Sequence, residues 1–388
     1  MTLLYLALLF MVVAAVVSVV AAQLRLPYTV ALVIAGAAAG SLHLFPPVHV
    51  GPEAIVTLLI LPLLFEGSLK LDPGDLRAYG GLIGTLAVPG TLVAALAITG
   101  AGTLWRLPGP TAFLLGAVAA ATDPVSVIAL IQEVRLDRRL GALLEGEAVL
   151  NDGVAIVLFT LVVSPAGGGL LGAAGRFVWL LAAGGAIGFL AGRAVSYALG
   201  RVRQPLIEAL GSLILAVGAF IAAEALGASG VIAVALAGIT FGGRGLQHLT
   251  EDARQTLRTL WDVIAFLANS ALFLLIGLEV PVGLLARHAG LIGTVILAAL
   301  AVRAATVYSL TARPLRGTAP IPAAWRPVLV WGGLRGGVAL ALVLDLPADL
   351  PGREPVAAAI FGLVVFTLLG QALTMKPLMR AVGLLSHT

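Results

Sequence analysis

Apolar runs of about 20 residues, the length a helix needs to cross a bilayer, follow one another along the whole chain. Of 388 residues, 60% are hydrophobic and only 11% are charged, against roughly 25% charged in a soluble domain whose surface meets water. Such a chain cannot cover itself with polar groups, so its solvent is lipid. In lipid every backbone N–H and C=O needs an internal partner, which leaves helices or a closed barrel. Runs of this length select helices, and their even spread argues for one membrane transport domain over residues 1–388, with no soluble regulatory domain.

Breaks at charges, Gly and Pro give an all-α polytopic protein of about thirteen spans: 2–22, 27–45, 50–69, 79–101, 109–132, 142–163, 174–199, 205–226, 228–242, 257–279, 285–311, 325–347 and 354–378. The eighth and ninth are divided by Gly227 and Gly230. The first run has no basic segment before it and no cleavage signal after it, so it reads as a span and not a signal peptide.

The basic residues test this division. They crowd the connections after spans 1, 3, 5, 7, 9 and 11 and the C-terminal end, as with Arg135, Arg138 and Arg139, or Arg313, Arg316 and Arg326. The alternate connections hold only Arg106, Arg287 and Arg353. By the positive-inside rule the N-terminus is outside and the C-terminus cytoplasmic. The same asymmetry accounts for the net charge of +4 without nucleic acid. With no cysteine there is no disulfide or thiol chemistry, and the five histidines fall in no metal-ligand spacing. The Arg- and Ala-rich composition fits a bacterial cytoplasmic (inner) membrane protein, and no cofactor is implied.

Against this background Glu66, Asp123, Glu147, Asp152, Glu224, Arg303 and Arg335 fall inside spans. An ionised residue at the centre of a membrane helix costs roughly 2.5–3.5 kcal/mol on insertion scales, so such residues pair or line a polar pathway. The densest group is in spans 5 and 6. Span 5 contains Thr122-Asp123-Pro124-Val125-Ser126, where the proline removes a backbone donor and frees carbonyls one turn earlier. That oxygen-rich setting suits a hard cation. In span 6, Glu147 and Asn151 share a helix face and Asp152 lies about 100° round. Glu66 and Glu224 are equally consistent with helix ends or structural pairs, and Glu145 is expected to be solvated at the cytoplasmic end of its span.

Span 12 contains Gly332-Gly333-Leu334-Arg335-Gly336-Gly337, a poor continuous helix with a charge in the middle. Setting span 7 (about 174–199) aside as a linker leaves two six-helix units, about 1–163 and 205–388, of opposite orientation. Each is interrupted at its fifth helix, and paired discontinuous helices in inverted repeats point to a transporter's midplane site. Asp123 and Arg335 are placed to neutralise the opposed half-helix dipoles.

Four segments, Thr122-Asp123-Pro124, Glu147 to Asp152, Phe273 to Glu279 and Gly332 to Gly336, together resemble the monovalent cation:proton antiporters. More narrowly they resemble the NhaP-type bacterial sodium/proton antiporters, relatives of the animal sodium/proton exchangers. The resemblance implies an NhaA-like fold, a homodimer, and exchange of Na+, Li+ or K+ for H+ by alternating access. It implies that Asp152 binds cation and proton in turn, with Asp123 and Thr122 completing the metal site. It further implies a Glu147–Arg303 ion pair, and that Asn151 marks electroneutral exchange. Many members carry Ser where this chain has Ala148, which removes one hydroxyl ligand. A channel or uniporter would need a filter sequence, which is not seen. A symporter differs in the sign of proton coupling, and an intramembrane aspartyl protease gives the repeats no purpose.

Overall fold

The computed structural model describes residues 2–24, 26–42, 52–123, 127–128, 131, 137–165, 167, 169–279, 282–312 and 319–385. Pro124, Ser126, Arg25, Arg135, Arg313 and Arg316 lie outside the described residues. Within them every regular element is a helix: α1 (Thr2–Leu24), α2 (Tyr28–Ser41), α3 (52–70), α4 (Pro73–Leu104), α5 (Gly109–Ala120), α6 (Arg138–Val163), α7 (Gly169–Leu199), α8 (Pro205–Ala225), α9 (Gly230–His248), α10 (Glu251–Glu279), α11 (Val282–Arg287), α12 (Ala289–Ala312), α13 (Trp325–Trp331), α14 (Gly337–Leu344) and α15 (Arg353–Ala381). Among the described residues eight of these are long and apolar enough to cross a membrane.

Their ends follow from local chemistry. Asp72 caps α4 by accepting from the Gly74 N–H at 2.7 Å, with Pro73 opening the helix. The α8–α9 turn runs through Gly227 at φ +64°, a left-handed conformation glycine adopts without a Cβ penalty. Glu224 closes that turn by accepting from the Gly230 N–H at 2.9 Å, so it is a cap at a helix end and not part of a pathway.

Helices without a hydrophobic driving force between them associate through small residues, and two seams show this. Along α7, Gly184, Gly188 and Gly192 face α9; a Cβ on Gly184 would lie 2.6 Å from the Ser229 carbonyl and one on Gly192 2.8 Å from that of Ala237. The predicted linker is therefore packed tightly along its partner. Between α2 and α10, a Cβ on Gly277 would lie 2.7 Å from the Gly36 Cα. The Phe273 to Glu279 segment thus serves as a packing seam.

Two groups of helices result: α1–α3 with α7–α10, and α4–α6 with α12–α15. Phe65 of α3 packs on Trp261 of α10 with ring centroids 4.6 Å apart, and Trp261 Nε1 donates to Ser212 Oγ of α8 at 2.9 Å. The site lies where the two groups meet.

Candidate ion-binding site

Two helix interruptions cross at the centre of the molecule. α5 stops at Ala120, and residues 121–123 are non-helical. α13 stops at Trp331 and α14 starts at Gly337, with residues 333–336 non-helical between them. The Asp123 N–H donates to the Leu334 carbonyl at 2.9 Å. Arg335, 3% exposed, donates through Nη1 to the carbonyls of Ala120 (3.3 Å) and Ala121 (3.2 Å). Its cation therefore sits on the negative end of α5. The Asp123 carboxyl lies against Gly336, at the positive end of α14; a Cβ on Gly336 would overlap it. The expected dipole neutralisation is thus present in the geometry. The Thr367 hydroxyl secures the loop by accepting from the Arg335 N–H at 3.1 Å.

α6 presents two faces to this crossing. Glu145, Ala148, Val149 and Asp152, spaced three and four apart, line a cavity of about 280 Å³. Asp123, Tyr28, Glu66, Lys70, Asp262 and Asn269 line its other walls. The Asp152 carboxyl accepts from the Thr122 backbone, while its Oδ1 is buried and has no hydrogen-bond partner among the described residues. The wall is rich in carboxylates, with Lys70 the only basic residue among the described residues that line it. Lys70 pairs with Glu66 and, at 3.0 Å, with Asp262.

The other face of α6 carries Glu147 and Asn151. Glu147, 1% exposed, forms a bidentate pair with Arg303: Nη1 to Oε1 and Nη2 to Oε2, the latter at 2.9 Å. Arg303 also donates from Nε and Nη2 to the Leu329 carbonyl, at 3.1 and 2.9 Å. One guanidinium therefore ties α6, α12 and α13 together. Asn151 Nδ2 donates to Thr122 Oγ1 at 3.1 Å, linking α6 to the α5 break.

The structure brings Thr122, Asp123, Asn151, Asp152, Glu147, Arg303 and Arg335 together and places Glu66 on the cavity wall. It corrects the reading of Glu145, which is not a solvated end residue but part of that wall. The sequence reading passed over Lys70, Asp262, Tyr28, Asn269 and Thr91. Asn269 donates to the Tyr28 hydroxyl at 2.7 Å across the cavity's far side; its position in an otherwise apolar stretch of α10 was the signal available.

Residues 8–381 match the family model described as sodium/hydrogen exchanger, transmembrane. The chain belongs to that family. It is 37% identical over 93% of its length to the Na+/H+ antiporter ApNhaP of Aphanothece halophytica, covering 70% of that protein. It is 33% identical to the Na+/H+ antiporter NhaH of Halobacillus aidingensis, covering 97% of each chain. The sodium proton antiporter MjNhaP1 of Methanocaldococcus jannaschii superposes with a TM-score of 0.80, covering 98% of this chain and 99% of that one at 20% identity. The fold is that of the NhaP antiporters.

Proposed function

We propose that this chain is a secondary active antiporter that exchanges a monovalent cation for H+, with Na+ as the primary substrate and Li+ and K+ as further candidates. The observation that carries the reading is the Asp152 carboxylate, with an oxygen that has no hydrogen-bond partner among the described residues, on a carboxylate-lined cavity beside two crossed, interrupted helices. A hard monovalent cation takes oxygen ligands, and Asp152, Asp123 and Thr122 supply them. A proton competes for the same carboxylate, and mutual exclusion couples the two fluxes as long as the empty, ionised site does not cross the membrane.

The two six-helix units form inverted repeats around this crossing, and alternating access moves one helix group against the other. Arg335 and Asp123 hold the broken helices together, and the Glu147–Arg303 pair fixes α6 to α12. Asn151 in place of a second acid leaves one titrating carboxylate on this turn of α6, which supports electroneutral exchange. The protein works as a homodimer in a bacterial inner membrane, N-terminus outside and C-terminus cytoplasmic, and the cavity end bearing Lys70 and Asp262 opens to the cytoplasm.

Purified protein in proteoliposomes bearing an imposed ΔpH tests this. Addition of a Na+ salt collapses ΔpH, and clamping the membrane potential leaves the rate unchanged. Collapse that depends on membrane potential would contradict electroneutrality, and no response to Na+, Li+ or K+ would reject the antiport reading.

A further inference from the structure

A second, smaller pocket lies behind the crossing, on the Asn151 face of α6. It measures about 20 Å³ and is lined by Thr91, Thr122, Glu147, Asn151, Arg303 and Arg335 together with Thr306, whose hydroxyl donates to the Val302 carbonyl of its own helix, and apolar neighbours. Two polar atoms there lack a hydrogen-bond partner among the described residues: Thr91 Oγ1 and Asn151 Oδ1. Both residues are almost fully buried, at 2% and 3% exposed.

Thr91 is set apart from its neighbours on α4 by the local backbone. Thr85 and Thr99 each donate to the carbonyl four residues back, Gly81 at 2.9 Å and Ala95 at 2.7 Å. For Thr91 that carbonyl belongs to Ala87, which lies inside a widened π turn at Leu86–Gly90 containing Pro89. The wide turn breaks the register that such a bond needs and leaves the hydroxyl facing the pocket. Wide turns of this kind within helices recur at functional sites.

We propose that this pocket is a binding site for one water molecule, which bridges Thr91 Oγ1 and Asn151 Oδ1 and makes Thr91 a positioning residue for the cation site. A cavity holds a water once it exceeds roughly 10–15 Å³ and offers polar partners, and both conditions are met. A cation is disfavoured there because the Arg303 and Arg335 guanidiniums line the same space. The water donates to Asn151 Oδ1 and accepts from the Thr91 hydroxyl. With its oxygen held in this way, the Asn151 amide presents Nδ2 to Thr122 Oγ1 and cannot flip. Thr122 is thereby oriented next to Asp123 and Asp152. The functional consequence rests on the antiport reading; the water site does not.

The test has two arms. A density map at a resolution that shows ordered waters is expected to place one within hydrogen-bond distance of both atoms in the wild type and none in Thr91→Val. In proteoliposomes Thr91→Val is expected to raise KM for Na+ about three- to tenfold, the scale of one lost hydrogen bond, with kcat little changed, and Thr91→Ser to restore it. Absence of the water, or an unchanged KM in Thr91→Val beside an active wild type, overturns the proposal. A wild type that exchanges no cation rejects the antiport reading instead, and the map then decides the water site alone.

Discussion

The Asp123 N–H and the Leu334 carbonyl meet at 2.9 Å, so each interrupted helix supplies a backbone partner that the other has lost by unwinding. Unsatisfied backbone groups at membrane depth are tolerated only when protein or a water-filled cavity meets them. The crossing meets this need with one backbone bond and the Arg335 contacts to Ala120 and Ala121. Gly336 makes the close approach possible, because a side chain there would occupy the space of the Asp123 carboxyl. Gly336→Ala is therefore expected to abolish cation-dependent ΔpH collapse while leaving expression and mobility on a sizing column near wild type. Retained transport would show that Asp123 has room to move.

The Glu147–Arg303 pair bears on stability. Removing one partner of a buried pair leaves the other charge uncompensated, at about 3–5 kcal/mol. Glu147→Gln and Arg303→Ala are each expected to lower the thermal midpoint in detergent substantially, without changing the preference among Na+, Li+ and K+. A normal midpoint with altered ion preference would move Glu147 into the binding site.

Ala148 lies on the cavity face one turn before Asp152. Ala148→Ser adds a hydroxyl oxygen to that wall. The apparent KM for Na+ is expected to fall about two- to tenfold, the effect of one added interaction of ~0.5–1.4 kcal/mol. A higher KM would mean that the serine oxygen is turned into the helix and its bulk obstructs the cation.

The proposed competition at one carboxylate predicts the pH dependence. On the proposed mechanism the protonated form of Asp152 excludes the cation, so lowering pH strengthens the competitor. On the acid side of the profile, apparent KM for Na+ is expected to rise about tenfold per unit fall in pH, with the maximal rate unchanged at saturating Na+. A falling maximal rate at constant KM would instead indicate a proton acting elsewhere.

Much of this was written in residues that lipid excludes. Asp123, Glu147, Asp152, Arg303 and Arg335 stand out in apolar spans, and the glycine pairs around Arg335 mark a break that the structure shows at residues 333–336. Other features leave no such trace. The π turn ahead of Thr91 changes helix register without changing composition, so Thr91 reads as an ordinary membrane threonine. Glu145 was misread because its place near a span end says nothing about the neighbouring α3, whose Glu66 and Lys70 complete the wall. The α2–α10 seam at Gly36 and Gly277 needs two distant helices to be known as neighbours. In a chain where nearly every face is apolar, periodicity cannot say which face meets lipid and which meets protein.

Asp152→Asn removes the titrating group and keeps its size, so it isolates the central claim. In proteoliposomes of matched protein content, wild type is expected to collapse an imposed ΔpH on addition of Na+, and Asp152→Asn to give no cation-dependent response while showing an unchanged melting profile. Wild-type exchange by the folded Asp152→Asn protein would contradict the account.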